Sequence, residues 1–163
     1  VQSLVCFGTK RQITVQSLQR KLQIDLVWNR LAPWLCRKFG HLPAKKMRLG
    51  ADDEPTQYLL DTIAWIKPSA FCDVSDGFNY EAAASDLAHW PRSKFIAAVN
   101  DKVLGHAVDV QHFMREAGLA AAEFSLLAKA NGNAEDYDHI SMLTHPAATK
   151  DHFPELAKWL QQA

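Results

Sequence analysis

Several things that would narrow the chemistry at once are missing from this sequence. The three cysteines, Cys6, Cys36 and Cys72, are an odd number, widely spaced and without a C-x-x-C pair. That argues against a disulfide framework and against a zinc site, and reduced thiols suit a cytoplasmic location. Cys6 falls in an apolar run and reads as core. Neither sign of charge is in excess, with 18 Lys and Arg against 18 Asp and Glu. No electrostatic footprint for nucleic acid or an anionic membrane therefore stands out. Blocks of like charge are absent too, and the densest basic cluster, Lys45, Lys46 and Arg48, reads as a solvated turn. No apolar stretch approaches the roughly 20 residues of a membrane span. There is no visible signal peptide, internal repeat or low-complexity tract. The chain opens on Val1 rather than Met and runs at once into Leu4-Val5-Cys6-Phe7, so a processed or truncated N-terminus is expected.

What is present fits one domain, or a core plus a subdomain, in 163 residues. Three short runs read as strands: Ser3 to Phe7, Lys94 to Val99, and Ala122 to Ala128, each stopped by glycine or by polar turn residues. Their apolar character is nearly continuous, as in parallel strands buried on both faces. Val110, Phe113, Met114 and Ala117 follow helical spacing, and Gly118 closes that helix. Phe153, Leu156, Ala157 and Leu160 mark a last helix, with Asp151 as a plausible N-cap and Pro154 in the first turn. Strand, helix, strand, loop, helix is βαβα logic and implies a parallel sheet with right-handed crossovers.

Residues 13–90 break this rhythm. Ile24, Val27, Trp28, Leu31 and Leu35 mark one amphipathic helix, and Leu59, Leu60, Ile63 and Ala64 mark another after Pro55. No good strand is visible there, so the stretch reads as a helical insertion between two strands of one sheet. Four of the five tryptophans lie between Trp28 and Trp90. Large amphipathic rings suit a wall that contacts a ligand, which makes Trp28, Trp34, Trp65 and Phe78 candidate pocket residues. The alternative for each is packing of the insertion onto the sheet.

Chemistry can gather at the C-terminal ends of parallel strands, and Asp101 stands at one. Alone, Asn100-Asp101 is also good turn chemistry. His139, in Asp136-Tyr137-Asp138-His139, lies on a loop after the third strand; alone, it is a surface histidine. Together they are a candidate acid and base, since a carboxylate can fix the tautomer of an imidazole and stabilise the imidazolium. Asp109, within the preceding helix pattern, is the reserve for the acid. His106, Asp109 and His112 share that helix without the i, i+4 histidine pair of a helical zinc site. His145 and His152, flanking the start of the last helix, suit capping or packing.

Here the sequence resembles the α/β-hydrolase superfamily, whose triad runs nucleophile, acid, histidine along the chain. Phe95 to Val103 is similar to that family's acid-bearing strand and turn. Asp138 to Leu143, running on to Phe153-Pro154-Glu155-Leu156 and Trp159-Leu160, is similar to its histidine loop and final helix. The resemblance implies an α/β fold that is the C-terminal half of the hydrolase fold. It would have about three parallel strands with flanking helices from residues 1–12 and 91–163, and a helical cap at 13–90. It also implies Asp101 as triad acid, His139 as base, no metal and no organic cofactor. Asp73 to Tyr80 resembles a signature in the returning arm of the cap.

One departure from the family pattern is large. The nucleophile of such enzymes sits in G-x-S-x-G, and no serine here has the flanking glycines. Nucleophile and oxyanion donors would lie upstream of Val1, leaving this chain inactive alone. The expected activity of the complete protein is hydrolysis of a small ester or related acyl substrate. Contact with a missing N-terminal half, or self-association through an open sheet edge, is expected. A non-catalytic interaction or regulatory module on a hydrolase-derived fold is the competing expectation. An aspartate nucleophile, as in haloalkane dehalogenases or epoxide hydrolases, is a third.

Overall fold

A computed structural model describes residues 2–50, 52–67, 69–86 and 89–162. The expectation about the N-terminus at Val1 lies outside the described residues. In chain order the elements begin with β1 (Ser3–Phe7), then a helical rod built from α1 (Leu18–Arg20), a π-helical stretch (Lys21–Leu31) and α2 (Ala32–Phe39). Next come the two-residue strands β2 (His41–Leu42) and β3 (Glu54–Pro55), then α3 (Thr56–Trp65) and α4 (Tyr80–Ser85). The remainder is β4 (Arg92–Ala98), α5 (Ala107–Glu116), β5 (Glu123–Leu127), α6 (Ser141–Thr144) and α7 (His152–Gln161).

These elements form two compact units, Val1–Val15 with Glu81–Ala163, and Gln16–Tyr80. The first is a mixed α/β unit whose three-strand sheet has the order β1-β4-β5, all parallel. The continuous apolar runs have a simple physical reason. On central β4, Phe95 and Ala97 pack into one cluster with Val110 and Met114 of α5. Ile96 and Ala98 pack into another with Tyr137, Met142 and Ala148, flanked by Phe153 and Leu156 of α7. Successive side chains point to opposite faces, so helices on both faces demand an apolar residue at every position.

The segment boundary differs from the one drawn at residues 12 and 13. Arg11 forms an ion pair with Glu116, and the Thr14 amide donates to Asp109 at 3.0 Å. These bonds fasten the chain to α5 as far as Val15.

The second unit has its own core of Ala32, Leu35, Cys36, Leu42, Ala44 and Leu59, with Trp28, Leu49 and Ile63 packed against it. Contrary to the expectation of no strand, β2 and β3 pair antiparallel. Leu31 also departs from the spacing that placed it with Ile24 and Leu35. It is exposed while those two are buried. The wider turns of the π-helical stretch, where bonds run i to i+5, rotate it off the buried face.

Candidate active site

Asp101 follows β4 after a tight turn closed by its own amide on Ala98 O at 3.0 Å. The turn is tied to the loop after β5: Asn100 N donates to Tyr137 O at 2.9 Å, and Asn100 Nδ2 to Asp136 O at 2.8 Å. Two loops adjoining the C-terminal ends of neighbouring strands are thereby held in register. The second loop carries His139, braced on both sides. The Asp138 amide donates to Ser141 Oγ at 2.8 Å, and Asp138 Oδ1 accepts from Ile140 N and Ser141 N at 3.0 and 2.8 Å.

Asp101 Oδ2 and His139 Nδ1 meet at 2.6 Å. An ionised carboxylate can only accept, so Nδ1 carries the proton and Nε2 is the basic nitrogen. The Asp101 side chain is 2 % exposed and that of His139 33 %, so the carboxylate is covered while the imidazole is open to solvent. Burial acts to raise the Asp101 carboxyl. The hydrogen bond from His139 and those from the Gly105 and Val103 amides oppose it, and the net position is below the ordinary aspartate value. The acid therefore stays ionised opposite the ring.

Two glycines make this approach possible. A Cβ on Gly105 would stand 2.6 Å from Gly8 O and 2.7 Å from Asp101 Oδ2. A Cβ on Gly8, whose φ is +57°, would stand 3.0 Å from the His139 ring. The signal for Gly8 was its place directly after a strand; nothing local marks Gly105. Lys10 also escaped notice: burial pushes its amine down, while Asp101 and Asp109 pull the other way. Asp109 is buried but accepts from Thr14 rather than from a histidine.

Three other histidines have local work. His106 Nδ1 accepts from Val108 N at 3.2 Å at the start of α5, and His145 Nδ1 accepts from Ala147 N at 3.2 Å. Buried His152 bonds Met142 O through Nε2 at 2.8 Å. Asp151 holds the N-cap position of α7 but makes no side-chain cap bond. Its carboxylate instead accepts from the Tyr137 hydroxyl at 2.9 Å and Ala134 N at 3.1 Å. A buried phenol requires an acceptor, and Asp151 supplies it.

The four candidate pocket aromatics lie in the helical unit. Trp28 packs against that unit's core. Trp34 is exposed, with Lys38 Nζ 5.4 Å from its ring centre. Trp65 donates to Cys72 O at 2.9 Å and meets Tyr80 edge-on at 6.1 Å, and exposed Phe78 reaches the same tyrosine at 5.2 Å. In the sheet unit, a cavity of about 460 Å³ lined by Trp90, Arg92, Leu119 and Glu123 opens at the starts of β4 and β5, the opposite end of the strands from Asp101. Among the described residues no cluster of metal-ligating side chains occurs. Compared with family models, curated proteins and solved structures, the chain gives no match.

Proposed function

We propose that this chain is the acid- and histidine-bearing part of an α/β-hydrolase acting on an ester or related acyl substrate. The observation that carries the reading is the 2.6 Å bond between Asp101 and His139, made by loops at the C-terminal ends of adjacent parallel strands. Asp101 would hold the Nδ1–H tautomer and stabilise the imidazolium. His139 Nε2 would take the proton of an attacking hydroxyl and return it to the leaving group. The chain has no G-x-S-x-G, so the nucleophile and its oxyanion donors would come from a preceding segment. An aspartate nucleophile in that segment would instead give dehalogenase or epoxide hydrolase chemistry with the same pair. The absence of that motif also supports the competing reading, an interaction module that keeps the fold without the reaction.

The test is ester hydrolysis by the polypeptide that includes the segment upstream of Val1. Asp101→Asn should lower kcat by roughly 10⁴-fold and His139→Ala by roughly 10⁶-fold, because triad members act as a unit. Near-normal turnover by His139→Ala would end the assignment. A coding sequence that starts at this chain would leave the interaction module.

A further inference from the structure

The balanced charge of the whole chain conceals a segregated one. Residues 16–50 carry eight Lys and Arg against a single acid, Asp25. Asp25 is itself held by Arg20 at 2.9 Å. Over residues 52–80 the balance reverses, with six acids against Lys67.

The helical rod arranges the basic half. Every fourth residue along it, Leu18, Leu22, Leu26, Arg30, Trp34 and Lys38, is exposed. A step of four slightly overshoots a turn in an α-helix and undershoots one in the wider π-helical turns. The two drifts oppose each other, and the row stays on one side. Ile24, Ala32, Leu35 and Cys36 are buried. The three leucines are not marginally exposed: Leu18 is 74 %, Leu22 52 % and Leu26 51 % accessible. Soluble helices ordinarily turn such a stripe inward. Lys21, Arg30 and Arg37 make no ion pair among the described residues.

Leucines in a row, a tryptophan and free cations together select the partner. Nucleic acid would satisfy the cations and leave the leucines wet. An anionic lipid surface satisfies both: cations meet headgroups, the leucines enter the acyl boundary, and tryptophan sits at the interface. Among the described residues no helix is long and apolar enough to cross a membrane, so the rod would lie in the interface plane. We propose that the exposed face of the Leu18–Phe39 rod docks on an anionic lipid surface. This stands on the helical unit alone and does not rest on the reading of Asp101 and His139.

The chain should co-sediment with mixed phosphatidylcholine–phosphatidylserine vesicles at low salt, be released by high salt, and bind phosphatidylcholine vesicles weakly. Arg30→Gln with Lys38→Gln should weaken binding roughly 25-fold, about fivefold per charge. Leu22→Gln with Leu26→Gln should likewise weaken co-sedimentation at low salt, because the apolar insertion is lost. All four positions are exposed, and circular dichroism would verify that the variants fold. Failure to co-sediment, or binding indifferent to both variants, would overturn the proposal. So would retention on heparin without vesicle binding, which would assign the cations to another polyanion.

Discussion

The sheet unit and the helical unit handle polar and apolar groups in opposite ways. In the sheet unit, side chains distant in sequence satisfy one another. Asp101 meets His139, Asp151 meets Tyr137, and Arg11 meets Glu116. In the helical unit the side-chain hydrogen bonds among the described residues mostly join near neighbours in sequence, such as Asp73 with Ser75 and Tyr80, and a row of leucines is left in water. The first pattern fixes a geometry, which acid–base chemistry needs. The second leaves a face open to something outside the chain.

Mutations should separate the two patterns. Phe95→Ala, in the two-sided core, should cost about 3–5 kcal/mol, whereas Trp34→Ala on the exposed row should change stability by about 0.5 kcal/mol or less. Urea denaturation reads both, and equal costs would erase the contrast. Gly105→Ala places a carbon against Gly8 O and Asp101 Oδ2 and should cost roughly 1–3 kcal/mol. Gly40→Ala in the helical unit meets nothing within 4 Å and should cost only the left-handed backbone strain, about 1–2 kcal/mol. Only the Gly105 variant should also disturb the His139 imidazole resonances.

A smaller effect is expected from Tyr137→Phe, about 1 kcal/mol for the lost bond to Asp151. The same pair gives the sheet unit a pH signature. Burial raises the Asp151 carboxyl, but the Tyr137 hydroxyl, the Ala134 amide and Asn133 outweigh it and the net shift is downward. Asp101 is likewise depressed. With folded values below unfolded ones, both carboxyls favour the folded state above the ordinary aspartate range, and that contribution is lost as pH falls through the depressed values. Tyr137 is pushed up to about 12 by burial and then by Asp151. Its contribution is present below its unfolded value of about 10 and is lost as pH rises through about 12. Urea midpoints in acid, neutral and alkaline buffer should therefore peak near neutrality, and Tyr137→Phe should flatten the alkaline side.

The three parallel strands were legible because burial on both faces writes an uninterrupted apolar run, and observed ends lie within two residues of those read. Asp101 and His139 were legible because strand ends position loops. What escaped depends on contacts between distant segments. Gly105 matters only because Gly8 O lies against it. Tyr137 sat in a stretch read as polar, yet it is among the largest fully buried side chains. Asp151 looked like a helix cap until the phenol that needs it was in place. Leu31 followed α-helical spacing that the π-helical turns do not keep. The segregated charge was invisible to overall composition, since the acids of residues 52–80 largely offset the cations of residues 16–50.

The central claim, that Asp101 holds His139 as a poised base, can be tested directly in this chain by nitrogen–proton NMR of the imidazole at neutral pH. The account predicts one tautomer, protonated at Nδ1 with a far-downfield proton and a bare Nε2, and loss of that proton signal in Asp101→Asn. A ring protonated at Nε2, or averaging between tautomers with no change in Asp101→Asn, would contradict it.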